Sequence, residues 1–216
     1  MTCTCKTVLW DWNGTLFNDA HLCVEIMNRQ LSHRRLPTLT LDRYRDLFDF
    51  PVRIYYDRLG FDFERESFEV VGTEFIRLYE SRKYEAGLRS DTRQVLEALR
   101  QKGIGQAVLS AYKHDTLVEL IEHFQLGGYF THLSGLDNHY AHSKVDNGLE
   151  LIKQLGSDPQ HTVMIGDTIH DYEVAQAMGT GCILVEGGHH PRYKLDSCKV
   201  PVVPTLEAAL KQIIGR

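Results

Sequence analysis

The chain has 216 residues, of which 43% are apolar and 25% are charged, and its formal net charge is −5. This is ordinary globular composition, and the mild negative charge argues against nucleic acid or an anionic membrane as the main partner. The five cysteines lack the spacing of a zinc ribbon or a disulfide framework, and no apolar run approaches the roughly 20 residues of a spanning helix, so we expect a soluble, cytoplasmic protein.

The first predicted element is a strand. Residues 6–12 are a short β-branched and aromatic run, and the turn signal Asn13-Gly14 follows directly. Such a run bounded by a turn predicts a buried strand. From about Asn18 to Glu85 the pattern differs, because apolar residues recur there at helical spacing. This second stretch is a predicted helical insert.

The insert contains residues that interrupt helices. Pro37, Pro51 and Gly60 divide it into about four predicted helices. Asp19 and Thr40 each precede one of these helices, and both residue types accept hydrogen bonds from the free backbone N–H groups of a helix start. We therefore predict both as N-caps.

After Gly87 helices and strands alternate. The predicted helices cover residues 91–102, 115–124, 143–155, 174–178 and 206–214, and the predicted strands cover residues 105–110, 131–135, 161–166, 181–185 and 200–203. Strands that alternate with helices predict a parallel sheet with helices on both faces. The fold class is therefore α/β.

Polar residues collect at the predicted strand ends, where ligands of parallel sheets bind. The first strand ends at Asp11, the second at Ser110 and the fourth at Asp167, with Asp171 one helical turn later. Lys144 opens the helix between the third and fourth strands. A charged aspartate at the end of an apolar run is costly to bury unless it is paired or bound to a cation. A Mg²⁺ ion held by one or two carboxylates, water and substrate phosphate would satisfy both strand-end aspartates.

Four segments resemble the signatures of the haloacid dehalogenase superfamily, in that family's order. Asp11-Trp12-Asn13-Gly14-Thr15-Leu16 is similar to the first signature, Asp-x-Asp-Gly-Thr-Leu or Val. Ser110 fits the second signature, Lys144 the third, and Gly166-Asp167-Thr168-Ile169-His170-Asp171 the fourth. The likeness covers nearly the whole chain and is closest to small phosphatases of the phosphoglycolate phosphatase and β-phosphoglucomutase type.

This resemblance implies a fold, an activity and a domain division. The expected core is a Rossmann-like three-layer α/β sheet formed by residues 1–17 and 86–216, and the insert, residues 18–85, is expected to be a mobile helical cap. The implied activity is Mg²⁺-dependent hydrolysis of a small phosphorylated metabolite through an aspartyl phosphate. We expect no nucleic-acid or membrane partner, and a monomer or small homo-oligomer.

The resemblance also implies metal-site roles. Asp11 would be the nucleophile that attacks phosphorus. Asp11 and Asp167 would ligate Mg²⁺ through their carboxylates and Asn13 through its backbone carbonyl, while Asp171 would orient water at the metal. A carboxylate beside a dication and the ammonium of Lys144 stays ionised, as a nucleophile must.

The remaining roles concern the substrate. Ser110, Ala111 and the amides of Gly14 and Thr15 would hold the phosphoryl oxygens, while Lys144 would neutralise charge on the phosphate. Arg53 of the insert is a candidate to reach the substrate, since arginine suits phosphate and carboxylate recognition. An exposed helix arginine is the alternative interpretation of that residue.

Asn13 departs from the family pattern. The family has a second aspartate there, which protonates the leaving oxygen and later activates water. An amide cannot transfer a proton at neutral pH, and loss of a general acid typically costs roughly 10²–10⁴ in rate. The chain is then a slow or selective phosphatase whose leaving group needs little protonation or whose proton comes from His170, His21 or the substrate. It is otherwise a phosphorylated-ligand-binding or regulatory protein with vestigial chemistry, or Asn13 is an introduced change.

The sequence also bears on other reaction types and on a possible zinc site. The two acids of the fourth signature argue against a dehalogenase, which needs no metal, whereas a phosphotransferase or mutase stays open. Two histidine pairs lack a third zinc ligand at suitable spacing, so we predict surface or loop histidines at positions His189, His190, His139 and His142.

Overall fold

The structure is a computed structural model that describes residues 5–136 and 144–215, and within them six strands form one parallel sheet. The strands in chain order are β1 (Thr7–Trp10), β2 (Phe17–Asn18), β3 (Gly87–Leu88), β4 (Gly105–Lys113), β5 (His132–Leu136), β6 (Thr162–Gly166), β7 (Gly181–Val185) and β8 (Val202–Val203). The sheet order is β5-β4-β1-β6-β7-β8, and β2 pairs with β3 in a separate antiparallel ribbon. Strand β1 therefore lies between β4 and β6, parallel to both.

Helices cover both faces of this sheet. They are α1 (Ala20–His33), α2 (Leu41–Leu47), α3 (Val52–Arg58), α4 (Phe68–Arg82), α5 (Thr92–Gln101), α6 (His114–His123), α7 (Lys144–Leu155), α8 (Ile169–Met178), α9 (Arg192–Asp196) and α10 (Leu206–Ile214). Apolar residues of α5, α6 and α10 belong to one core cluster, and those of α7, α8 and α9 belong to the other. The predicted Rossmann-like three-layer core is confirmed. Among the described helices, all are too short or too polar to cross a bilayer.

Strand β1 is buried throughout because it lies between both helical layers. Val8 and Trp10 belong to one core cluster, while Leu9 between them belongs to the other. Side chains alternate between the faces of a strand, so a strand covered on both sides has no solvent-facing position. Trp10 also donates from its indole nitrogen to Gln106 Oε1 at 3.1 Å, which satisfies the polar atom of a buried ring.

Some predicted boundaries were wrong. Strand β1 ends at Trp10 and β4 continues past Ser110 to Lys113, where its register with β5 shifts. Helix α8 begins at Ile169 rather than Val174, because Thr168 and Asp171 form a reciprocal capping box. The five-residue helix α9 and the ribbon β2–β3 were not predicted, since such short elements carry little periodicity.

The insert holds four α-helices, α1 to α4, as predicted. It leaves and rejoins the core through the ribbon, where Phe17 pairs with Leu88. Thr40 caps α2 by accepting from Arg43 N at 3.2 Å, as predicted. Asp19 is at the N-cap position of α1 but its side chain makes no capping hydrogen bond. The division into a core and a mobile cap remains a prediction.

Replacement of two helical glycines by alanine is expected to change the unfolding free energy in opposite directions. A Cβ at Gly72 in α4 would meet nothing within 4 Å, whereas one at Gly148 in α7 would lie 2.5 Å from Met178 Sδ and 3.0 Å from Leu109 Cδ2. We expect Gly72→Ala to stabilise the protein by about 0.5–1 kcal/mol through lower chain entropy, and Gly148→Ala to destabilise it by about 1–2 kcal/mol through overpacking. Urea unfolding measures both, and the same sign for the two variants would contradict this interpretation.

Candidate active site

Three buried carboxylates meet at the carboxyl edge of the sheet. Asp11 follows β1, Asp167 follows β6, and Asp171 lies in the first turn of α8. Because Trp10 pairs with Ile165 in parallel register, the two strand ends coincide. One carboxylate oxygen from each of the three aspartates lies within 4.8 Å of the others.

Lys144 supplies the positive charge of this cluster. It is the first residue of α7, its side chain is 3% exposed, and its Nζ donates to Asp11 Oδ1 and to Asp171 Oδ1. The structure therefore brings together four of the residues that the strand-end pattern singled out. Their sequence separation is large, but the parallel topology places them at one edge.

Burial and charge act against each other on these groups. Burial raises the pKa of Asp11 well above its usual range, although the Lys144 ammonium opposes that shift. Burial also raises the pKa of Asp167, against the opposing charge of His189. For Asp171 the Lys144 charge outweighs burial and lowers the pKa, and for Lys144 the two carboxylates outweigh burial and raise its pKa.

The donor set fits a divalent cation. When all three carboxylates are ionised against one ammonium, the buried site carries two negative charges, which is unfavourable without further compensation. Carboxylate oxygens are the ligands that Mg²⁺ prefers, together with water and phosphate oxygens. Asp11, Asp167 and the backbone carbonyl of Asn13 are the residues that would hold such an ion.

The two later aspartates are held by hydrogen bonds from their surroundings. Asp171 Oδ2 accepts from Thr168 Oγ1 at 2.7 Å and from the backbone N–H groups of Thr168 and Asp167. Asp167 Oδ1 accepts from Thr15 Oγ1 at 2.9 Å, and its Oδ2 accepts from His189 N at 2.6 Å. The hydroxyl of Thr15 thus positions Asp167, a contact between the first and fourth signatures.

Two glycines leave room for Asp167. Gly14 has φ +75°, and a Cβ there would lie 2.3 Å from Asp167 Oδ2. A Cβ at Gly188 would lie 2.1 Å from the same oxygen. A side chain at either position would displace the carboxylate, so the close approach of both backbone segments requires glycine.

The side chain of Asn13 is held by a buried carboxylate of the insert. Its Nδ2 donates to Asp19 Oδ2 and to Tyr79 Oη, both at 2.9 Å, and Tyr79 Oη donates to Asp19 Oδ2 at 2.6 Å. Asp19 Oδ1 also accepts from Gly14 N at 2.9 Å. Asp19 is 1% exposed, so this residue, predicted only as a helix cap, organises the turn that follows Asp11.

Comparison with known proteins decides the family. Residues 8–185 match the family of haloacid dehalogenase-like hydrolases. The chain belongs to this family. The resemblance inferred from the four signatures is therefore confirmed.

This haloacid dehalogenase-like hydrolase is similar to several named proteins. It is 28% identical over 191 residues to a phosphoglycolate phosphatase of Agrobacterium fabrum, covering 84% of this chain and 80% of that protein. It is 26% identical over 200 residues to the tyrosine-protein kinase PtkA of Mycobacterium tuberculosis, covering 92% and 68%. The solved structure of a predicted phosphatase from Clostridium acetobutylicum shares the fold, with a TM-score of 0.84, 20% identity, and coverage of 99% of this chain and 100% of that one.

His189 of the hydrolase is a site residue that the sequence interpretation missed. His189 and His190 were predicted as surface or loop histidines; both lie in the loop after β7 as predicted, but neither is at the surface because both are buried. His189 Nε2 lies 3.3 Å from Asp19 Oδ1, and its Nδ1 lies 2.8 Å from Tyr44 Oη. Burial alone would lower the pKa of His189, but the Asp19 carboxylate outweighs it and raises the pKa to about 9. His139 and His142 lie outside the described residues.

The pair of His189 and Asp19 predicts a pH-dependent stability. A histidine pKa raised from 6.5 to about 9 favours the folded state below pH 6.5, and this contribution is lost as the pH rises through 9. We expect His189→Gln to cost on the order of 3 kcal/mol at pH 6 and much less at pH 10. Urea unfolding of the hydrolase in EDTA measures this, with His132→Gln on the exposed edge strand as the control. A cost that does not change with pH would contradict the prediction.

Ser110, the residue of the second signature, lies at the sheet edge. Among the residues that the structure describes, its hydroxyl makes no hydrogen bond to the three carboxylates. Ser110 is buried, and its hydroxyl accepts from Tyr112 N at 3.1 Å. Ala111 is exposed. Their proposed roles depend on backbone and hydroxyl groups reaching a phosphoryl oxygen, and these roles remain predictions for the hydrolase.

The structure does not bring Arg53 to the carboxylates. Arg53 is exposed on α3, and its guanidinium packs over the ring of Phe63 at 5.0 Å. The alternative interpretation of this residue, an exposed helix arginine, matches its environment.

The two histidines predicted as possible proton donors lie in different surroundings. His21 lines a cavity of about 490 Å³ beside the ribbon, and the ring of His170 packs 4.8 Å from that of Phe50.

Some of the site residues that the sequence interpretation missed could have been found from the sequence. The strand-end rule that selected Asp11 and Asp167 applies equally to β7, and the loop after it carries Gly188 and His189. Asp19 is close to Asn13 in the sequence. Tyr44 and Tyr79 had no such signal, since they are aromatic residues within helices whose docking is a tertiary property.

Proposed function

We propose that this hydrolase is a Mg²⁺-dependent phosphatase of a small phosphomonoester and works through an aspartyl phosphate on Asp11. One observation carries the proposal: Asp11 lies buried beside the Lys144 ammonium and two further carboxylates at the carboxyl edge of the sheet. Phosphoryl transfer depends mainly on positioning and charge neutralisation, and this cluster offers both. The named phosphatase relatives support the same reaction class.

In this mechanism Asp11 uses one carboxylate oxygen to attack phosphorus, and the Lys144 ammonium favours the ionised form of Asp11 against burial, which raises its pKa. The amides of Gly14 and Thr15, with the Ser110 hydroxyl, would hold the phosphoryl oxygens. Bound Mg²⁺ would add charge neutralisation at those oxygens. Asp171, which holds Lys144 through Oδ1, keeps the ammonium aimed at Asp11. These residues neutralise the charge that develops as the ester bond breaks.

Rings of the insert and of the loop after β7 form a cluster beside Asp167, whose Oδ2 accepts from His189 N at 2.6 Å. We call this set the aromatic roof, and its members are Tyr44, Phe48, Tyr55, His189 and His190. Arg45 joins the two parts by donating to the carbonyls of Gly187 and Gly188 at 2.7 and 2.8 Å. We infer that the insert, residues 18–85, moves as a cap about the ribbon, because a substrate must pass this roof.

The substrate and setting follow from the same site. An enclosed site suits a small phosphorylated metabolite, and closure of the roof would keep water out during transfer. We propose that the hydrolase acts in the cytoplasm as a monomer or small homo-oligomer, with Mg²⁺ as its cofactor. A slow rate follows from Asn13, whose amide cannot donate a proton.

Removal of the nucleophile tests the proposal. We expect Asp11→Asn to lower phosphatase turnover at least about 10³-fold, because an amide oxygen is a poor nucleophile toward phosphorus. Mass spectrometry of the acid-quenched protein should find a phosphate on Asp11 that the variant lacks. Asp115→Asn is the control, since that side chain is 81% exposed on α6.

Dependence on the metal completes the test. EDTA should abolish turnover, and added Mg²⁺ should restore it. Mg²⁺-dependent binding of phosphomonoesters without turnover across a broad panel would contradict the phosphatase and favour a ligand-binding protein.

A further inference from the structure

The aromatic roof is organised around one ring. Phe48 lies 5.2 Å from Tyr44, 5.4 Å from Tyr55, 5.4 Å from His189 and 6.0 Å from His190, measured between ring centroids. Aromatic rings at these separations attract one another in offset and edge-to-face arrangements. Phe48 is half-buried whereas Tyr44 and Tyr55 are each 2% exposed, so a further aromatic ring would join this cluster when the insert moves away from the core.

The roof lies where a leaving group must go. His189 joins it to the carboxylates, because its backbone N–H donates to Asp167 Oδ2 at 2.6 Å. In phosphoryl transfer the attacking and leaving oxygens are roughly in line with phosphorus. Asp11 attacks from the sheet edge, so the leaving group extends away from the sheet, toward the side on which His189 contacts Asp167.

Two polar atoms of the roof lack partners among the described residues. They are Tyr55 Oη and His190 Nε2, on residues that are 2% and 1% exposed. Ile169 N donates to His190 Nδ1 at 3.1 Å, so the neutral ring carries its proton on Nε2. Burial lowers the pKa of His190 to about 4, which keeps that ring neutral at pH 7. Buried polar atoms are nearly always paired, so each of these two atoms needs a partner that the described residues do not supply.

Asn13 selects the leaving group by its chemistry. The amide donates to Asp19 and Tyr79 but cannot give up a proton, so the leaving oxygen departs as an anion. A phenol has a pKa of about 10, close to that of tyrosine, while an aliphatic alcohol is roughly as weak an acid as water, near 16. An aryloxide therefore leaves without help far more readily than an alkoxide.

We propose that the preferred substrate is an aryl phosphate, the phosphomonoester of a phenol-type hydroxyl, whose ring packs among Tyr44, Phe48 and Tyr55. The inference rests on the proposed phosphatase function and names its substrate class. The Asp11 carboxylate forms a bond to phosphorus while the phosphorus–oxygen bond to the ring breaks, and the electron pair leaves with the aryloxide. Water then attacks phosphorus, and the bond between phosphorus and Asp11 breaks. The products are the free Asp11 carboxylate and dihydrogen phosphate, which carries both protons of the water. Exchange with solvent later transfers one proton to the aryloxide.

The experiment compares leaving groups on the full chain with Mg²⁺. The substrates are phenyl phosphate, para-nitrophenyl phosphate, glycerol phosphate, and acetyl phosphate, which has a good leaving group but no ring. We expect kcat/KM for phenyl phosphate to exceed that for glycerol phosphate at least about 10²-fold, the size of one missing acid. We expect Asn13→Asp to narrow this ratio by raising kcat/KM for glycerol phosphate most.

A second arm tests the ring. Phe48→Leu should raise KM for phenyl phosphate about 10-fold and should change KM for acetyl phosphate much less, since only the contact with the substrate ring is lost. Phe63→Leu, a substitution in the insert outside the aromatic roof, is the matched control and should change neither. A KM for phenyl phosphate that Phe48→Leu does not change overturns the packing among these rings and with it the proposal.

The failures are distinguishable. Equal kcat/KM for glycerol phosphate and phenyl phosphate, with both reactions dependent on Asp11, overturns the aryl preference and leaves the phosphatase function standing. No Asp11-dependent turnover of any of the four substrates, acetyl phosphate included, overturns the proposed function itself.

Discussion

Asn13→Asp is expected to raise the turnover of an alkyl phosphate such as glycerol phosphate by roughly 10²-fold or more. The new carboxyl would lie where the Asn13 amide now donates to Asp19 at 2.9 Å. Two carboxyls this close resist double ionisation and share a proton, so one of them stays protonated near neutral pH. That proton is available to the leaving oxygen. Affinity for Mg²⁺, measured by calorimetry, should change little, because residue 13 would ligate through its backbone carbonyl.

The control for this gain in turnover is a double variant that exchanges the side chains of residues Asn13 and Asp19. Asn13→Asp combined with Asp19→Asn keeps the net charge and the number of amide and carboxylate groups, and an asparagine at position 19 can still accept from Gly14 N through Oδ1. We expect this double variant to gain much less than Asn13→Asp alone, because position 19 no longer offers a second carboxyl with which the new acid can share a proton. Equal or lower turnover in both variants, with the fold intact by circular dichroism, would show that the missing acid does not limit the reaction.

Lys144→Met is expected to have the second large effect, on both rate and stability. The change keeps the aliphatic stem but removes the ammonium that Asp11 and Asp171 share. Loss of a preorganised charge at the reacting centre should lower kcat at least 10²–10³-fold. Leaving the buried carboxylates unpaired should cost about 3–5 kcal/mol of unfolding free energy near neutral pH.

The stability effect has a defined pH sign. Without the ammonium the pKa of Asp171, now held low by Lys144, would rise, so the variant gains stability as the pH falls and its carboxylates take up protons. Urea unfolding at pH 5.5 and pH 8 measures this difference. Lys153→Met on the same helix is the matched control, because that side chain is 76% exposed. A Lys144→Met protein as stable as the control at pH 8 would contradict the charge balance inferred for the site.

The core and its carboxylates were predictable because they depend on local patterns. Apolar strands that alternate with amphipathic helices admit few arrangements other than a covered parallel sheet. Once the sheet is parallel, Asp11 and Asp167 must come to one edge, whatever their separation in sequence. Lys144 was found by the same logic, since the helix that it begins follows a strand of the sheet and therefore starts at that edge.

The ends of elements were predicted less well, for a local and a tertiary reason. The capping box of Thr168 and Asp171 starts α8 five residues earlier than its apolar residues indicate. The extension of β4 beyond Ser110 depends on its pairing with β5. Hydrogen bonds decide such boundaries, and hydrophobic periodicity does not report them.

By itself the amino-acid sequence determined the fold class, the family and the buried acid cluster, because regular elements and strand ends follow from local composition and turn signals. The tertiary structure alone decided what surrounds Asn13 and what covers the site. Tyr44 and His189 are 145 residues apart and Tyr79 is 60 residues from Asp19, yet each pair shares a hydrogen bond. Such contacts depend on how the insert docks on the core, and docking is settled by the packing of whole surfaces rather than by any local propensity.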